Sequence, residues 1–197
     1  MKVFPSQLVA IGLVAFAAAQ GDVGVMGAEK RTNSENGLDF VYPFPVHNYR
    51  FTSQLKNLEM AYMDISPIGE SIGNIVLLHG KNFCGCTWNA TIDVLLAAGY
   101  RVIVPDQVGF CKSTKPTSYQ FTLEQLALNT NNLLHSLNVT NATIMGHSMG
   151  GMLSARYALM FPSQTFRLVL VDPLGLENWF TLGTKPSSIP KKLDSGL

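Results

Sequence analysis

Gly146-His147-Ser148-Met149-Gly150 places a hydroxyl between two glycines, at the join of an apolar run and a helix-like run. A Gly-x-Ser-x-Gly turn from strand to helix presents its serine oxygen clear of the backbone, where it can attack an acyl carbon. So tight a turn is strained and tolerates only small neighbours, which Gly146 and Gly150 supply. A helix starting after Ser148 aims its amino-terminal dipole at the site and favours a developing oxyanion. The backbone N–H of Met149 is one natural oxyanion donor. The loop following Leu77-Leu78-His79-Gly80 offers a second, the N–H of Lys81 as first choice and that of Asn82 as second. A serine of ordinary acidity also needs a base, yet no histidine follows Ser148 and only about fifty residues do.

The elements that must carry these groups alternate. Phe51-Thr52-Ser53 and Leu58 to Ile65 read as a hairpin or two early strands. Ile75 to Leu78 is short and wholly apolar, as for a strand buried on both faces of a parallel sheet. Thr87 to Ala98 reads as a helix closed by Gly99, and Tyr100 to Val104 as a strand ended by Pro105. Thr122 to Leu137 reads as a helix, with Thr122 and Gln125 spaced as a capping box. Ala142 to Met145 is a strand, Gly150 to Phe161 a helix stopped by Pro162, and Phe166 to Val171 a strand. Strands separated by such helices imply right-handed βαβ units and a doubly wound α/β sheet.

The motifs together resemble the α/β-hydrolase superfamily, in the group with His-Gly, Asp-x-x-Gly-x-Gly-x-Ser and Gly-His-Ser-Met-Gly-Gly. Here these are His79-Gly80, Asp106-Gln107-Val108-Gly109-Phe110-Cys111-Lys112-Ser113 and Gly146 to Gly151. The resemblance covers residues 40–179. It implies a partial α/β-hydrolase fold, a mostly parallel doubly wound sheet whose carboxy-terminal strands are missing, because family members place a lid, an acid and the triad histidine after the sixth strand. Ser148 carries over as the nucleophile of ester or related acyl chemistry. Serine at the elbow argues against epoxide hydrolase or dehalogenase chemistry, where relatives use aspartate.

Among the other groups, Asp172 is a candidate acid after the last strand, weighed against a loop-capping aspartate. His147 should point away from Ser148 within the turn, and His79 should fix the oxyanion loop by a hydrogen bond. His135 is expected in solvent on a helix, and His47 in an early polar turn. Cys111 replaces the second glycine of its motif and Cys86 a small residue, on loops that follow neighbouring strands in this fold. A Cys86–Cys111 disulfide is the expectation, with Cys84 as competing partner and free thiols as the alternative. If the glycine replaced at 111 needed positive φ, Cys111 carries strain.

Residues 1–19 read as a signal peptide: Lys2, an apolar run from Leu8 to Ala19, then Ala17-Ala18-Ala19 before Gln20. The run is too short to span a bilayer core of about 30 Å, so no stable membrane anchor is expected. An uncleaved anchor or buried helix is the alternative. Residues 20–39 read as a flexible arm, 40–179 as the amino-terminal part of the hydrolase domain and 180–197 as an irregular tail. Sequons at Asn89, Asn138 and Asn141 agree with secretion. A net charge of +1 argues against a nucleic-acid partner, since no basic excess exists to neutralise phosphates. No His pair or Cys cluster has metal-ligand spacing, and no cofactor is expected.

Two functions compete on this reading. One is a secreted serine hydrolase, incomplete as it stands, acting on a small ester-like substrate. The other is a non-catalytic secreted half-fold that works by binding or assembly, self-associating through an incomplete sheet.

Overall fold

Alternation along each strand decides which side of the sheet a residue reaches. In β3 (Asn74–Leu78), Ile75 and Leu77 face one way and Val76 and Leu78 the other; all four are buried. The same split recurs in β4 (Arg101–Pro105), with Val102 and Val104 opposite Ile103. The computed structural model describes residues 39–175. It shows a six-stranded sheet completed by β1 (His47–Ser53), β2 (Lys56–Ile65), β5 (Ala142–His147) and β6 (Thr165–Val171), in the order β1-β2-β4-β3-β5-β6. Strands β4, β3, β5 and β6 are parallel; β1 and β2 form an antiparallel hairpin whose second strand pairs antiparallel with β4.

Helix α1 (Asn89–Ala97) packs Ile92 with Trp88, Ile75, Leu77, Val102 and Val104 in one cluster. The larger cluster, on the other set of strand residues, contains Leu126, Leu133 and Leu134 of α2 (Leu123–Ser136) with Leu153 and Tyr157 of α3 (Met149–Met160). The sheet is therefore doubly wound, as the spacing of apolar runs predicts. Because β4 and β5 flank β3 on opposite sides, the chain reverses its direction across the sheet beside the carboxyl end of β3. In open α/β sheets that crevice is where ligands bind.

Local details depart from the sequence expectation. The helix expected from Thr87 begins as a 3-10 turn over Gly85–Trp88 and becomes α-helical only at Asn89. Thr122 caps α2 by accepting from the Gln125 N–H at 3.1 Å. The reciprocal half of the capping box is absent: the Gln125 side chain donates to Asn129 at 2.9 Å instead. The expectations for residues 1–19, for nearly all of 20–39 and for 180–197 fall outside the described residues.

Candidate active site

Strand β5 delivers Gly146 and His147 to the carboxyl edge of the sheet, and α3 starts at Met149. Ser148, between them, has φ 55° and ψ −119°, outside the regions that non-glycine residues ordinarily occupy. The glycines on either side leave no room for alternatives. A Cβ at Gly146 would sit 2.0 Å from the Gly150 carbonyl oxygen, and one at Gly150 would sit 2.1 Å from the Leu78 carbonyl oxygen. Close approach of α3 to β3 thus depends on the bare backbone at 150.

The elbow is tied down on both sides. Ser148 N–H donates to the Val171 carbonyl at 3.1 Å, at the end of β6. Its own carbonyl accepts from Gly151 at 2.9 Å, opening α3, and from Leu174 at 3.2 Å, in the loop beyond β6. Asp172, the candidate acid, lies in that same loop, exposed and with φ 43°. Among the described residues no hydrogen bond caps the loop with its carboxylate, and none joins it to Ser148.

The loop after β3 lies against the elbow. A Cβ at Gly80 would be 3.3 Å from each of Ser148 Cβ, His147 Nδ1 and Phe83 Cδ2. Lys81 follows directly in that loop, while Met149 opens α3 on the other side of Ser148. Among the described residues the N–H of neither is taken by a backbone acceptor. The 12-residue α3 adds the positive end of its dipole to the same place.

His79 holds the loop from below. It is buried, its Nε2 accepts the Gln107 N–H at 2.9 Å, and its Nδ1 lies 2.8 Å from the Gly80 carbonyl. Accepting at Nε2 requires the proton to be on Nδ1, which then donates to Gly80. Burial lowers its pKa, opposed by the Gly80 bond and by Asp106, so the ring is neutral. This is the loop-fixing role expected of His79. The exposed His135 on α2 also sits as expected. His47 does not occupy a turn: it opens β1, with its ring 5.5 Å from that of Tyr62. His147 packs edge-on to Phe83 at 6.2 Å and makes no described hydrogen bond to Ser148.

Sequence reasoning missed the part played by Asp106. It is buried, and it accepts the Gly85 N–H at 2.8 Å on Oδ1 and the Lys112 N–H at 3.0 Å on Oδ2. The Tyr42 hydroxyl donates to Oδ2 as well. Burial and this bond to Asp106 push the Tyr42 pKa far up, so the phenol keeps its proton. One carboxylate therefore clamps the loop after β3 to the loop after β4. Its signal was the aspartate heading the Asp-x-x-Gly motif.

The disulfide expectation needs correcting. Cys84, not Cys86, pairs with Cys111, with the Cα atoms 5.7 Å apart. Cys86 is a free thiol, its pKa raised by burial and by Asp106. Cys84 and Cys86 flank Gly85, whose N–H donates to Asp106. Cys111 has φ 43°, the strained left-handed conformation considered for this glycine position. Asn89, Asn138 and Asn141 are all exposed. Among the described residues, no group of three or more His, Cys, Asp or Glu side chains is arranged to hold a metal.

A model of the α/β-hydrolase fold family matches residues 73–196. A crystal structure of a probable hydrolytic enzyme from Pseudomonas aeruginosa superposes with a TM-score of 0.72 at 58% identity, over 74% of this chain and 46% of that one. Lipase 1 of Psychrobacter immobilis is 33% identical over 147 residues, 72% of this chain and 43% of the lipase. The haloalkane dehalogenase of Mycolicibacterium paratuberculosis is 31% identical over 137 residues, 66% of this chain and 44% of the dehalogenase. The chain spans about two fifths of the length of these two curated relatives.

Proposed function

The chain belongs to the α/β-hydrolase family, and from that premise we propose that it carries the nucleophile half of a serine hydrolase acting on an ester or related acyl bond. The observation that carries this reading is Ser148 at φ 55°, ψ −119°, held between glycines that admit no side chain. Its Oγ attacks the acyl carbon, and the N–H groups of Met149 and Lys81 receive the charge that moves onto the carbonyl oxygen. An acyl-enzyme forms as the alcohol leaves, and water releases the acid.

A base is required, and His79 is not it: both its ring nitrogens are engaged. We assign no base among the described residues, and Asp172 is the candidate acid beside the elbow. Secretion is proposed on the support of the Cys84–Cys111 disulfide and the three exposed sequon asparagines. A serine nucleophile favours acyl transfer over the carbon–halogen cleavage named for the dehalogenase relative.

The test is p-nitrophenyl ester hydrolysis by the purified chain beside its Ser148→Ala variant. Turnover that disappears on substitution is the expected result. Equal rates at background would overturn the reading and favour the second one, a non-catalytic half-fold that assembles with another chain. That second reading draws on β6, whose Phe166 and Leu168 are exposed at the edge of the described sheet.

A further inference from the structure

The segment bearing the Lys81 N–H has little to hold it in place by itself. Lys81, Asn82 and Phe83 are exposed, Asn82 has φ 63°, and one backbone bond crosses the turn, from Phe83 N–H to the Gly80 carbonyl at 3.2 Å. Its position comes from anchors at its two ends, and both reach the same partner, the loop after β4. Upstream, His79 accepts the Gln107 N–H at 2.9 Å. Downstream, Gly85 donates to Asp106 at 2.8 Å and Cys84 is bonded to Cys111. Phe83 itself is drawn in, its carbonyl oxygen 3.5 Å from Cys111 Sγ.

The covalent anchor is buried, yet it joins neither hydrophobic cluster and links the loop after β3 to the loop after β4. It is built at a conformational expense, since Cys111 adopts φ 43°, where glycine is at ease. A strained bridge between two site loops serves their relative position.

We infer that Cys84 and Cys111 are positioning residues, and that their disulfide makes the oxyanion loop redox-sensitive. The inference rests on the reading of Ser148 and Lys81 given above. Reduction by a dithiol breaks the sulfur–sulfur bond: the two cysteines take up two electrons and two protons, and the dithiol is oxidised to its own disulfide. The downstream end of the segment then keeps the Gly85–Asp106 bond as its tether to the loop after β4. The Lys81 N–H leaves the position that faces the developing charge. Because charge develops in the transition state, the effect falls on kcat rather than KM.

The experiment compares the oxidised full-length chain, the dithiol-treated chain and the double variant Cys84→Ala/Cys111→Gly. Glycine keeps the left-handed backbone at 111 while removing the bridge. Cys86→Ala, which leaves the bridge intact, is the control. Two readouts are taken: amide hydrogen exchange along residues 80–88, and ester turnover with Ser148→Ala as baseline. Loss of the bridge is expected to speed exchange in 80–88 at least tenfold, with α2 and α3 unchanged. It should lower kcat about tenfold with KM within about twofold, less than loss of a whole oxyanion donor.

Unchanged exchange in 80–88 would overturn the inference. So would faster exchange throughout, which would make the bridge a general stabiliser, or Ser148-dependent turnover indifferent to the bridge. Selective loosening with all turnover at the Ser148→Ala baseline would support the tether while the hydrolase reading alone fails.

Discussion

His79 shows how one side chain can serve a site without reacting in it. Both ring nitrogens are committed, one to the Gln107 N–H and one to the Gly80 carbonyl, and the ring is buried. Burial holds its folded pKa below its unfolded value of about 6.5. As pH falls below that value, the unfolded chain takes up a proton that the folded chain refuses. Stability therefore declines from about pH 6.5 downward, levelling only once pH passes the folded pKa, with a slope approaching about 1.4 kcal/mol per pH unit. Urea denaturation between pH 7.5 and 5 should show this loss, and His79→Gln should flatten it at a lower overall stability. The loop-fixing role was legible in the sequence because a histidine ending an apolar strand beside glycine has carbonyls within reach. The cysteine pairing was not. Cys84 and Cys86 differ by two positions, and which of them meets Cys111 is set by the tertiary placement of the two loops.

Among the elements, the contact between α3 and β3 is the most demanding. A Cβ on Gly150 would meet the Leu78 carbonyl oxygen at 2.1 Å and its carbon at 2.7 Å, backbone atoms that cannot rotate away. Gly150→Ala must lift α3 off the sheet, and it is expected to cost about 3 kcal/mol in a denaturation midpoint. Ester turnover should fall with it, since Ser148 and Met149 ride on that helix. The Gly-x-Ser-x-Gly spacing announced the need for small residues in the turn, while the approach of α3 to β3 came from the tertiary structure. The β1–β2 hairpin was legible as two strands, while its turn was not. Gln54 and Leu55 both have positive φ, at 49° and 59°, without the Asn-Gly pair that usually signals such a turn. Gln54 is held there from a distant loop: its side chain accepts the Gln120 N–H at 2.9 Å and donates to the Gln120 carbonyl at 3.1 Å. No local pattern encodes a support that comes from residue 120.

At the scale of the molecule, the described sheet is bordered by β1 and β6. Among the described residues, strand β6 pairs with β5 on one side only, and it exposes Phe166, Leu168 and Val171. An unpaired apolar edge is a template for another strand. The chain is therefore expected to self-associate with rising concentration, and Leu168→Lys should shift sedimentation toward the monomer. Sedimentation independent of both concentration and this substitution would remove the case for assembly through β6. The sequence by itself determined the alternating strands and helices, the two-sided burial of β3 and β4, and the serine between its glycines. Those features are written in short-range periodicity and in residue size, which neighbours along the chain share. Only the tertiary structure decided that Asp106 clamps two loops, that Cys84 takes the bridge, and that Ser148 is tied through its N–H and carbonyl to β6 and the loop beyond. Each depends on which atoms of separate loops arrive within bonding distance, and the sheet order sets that.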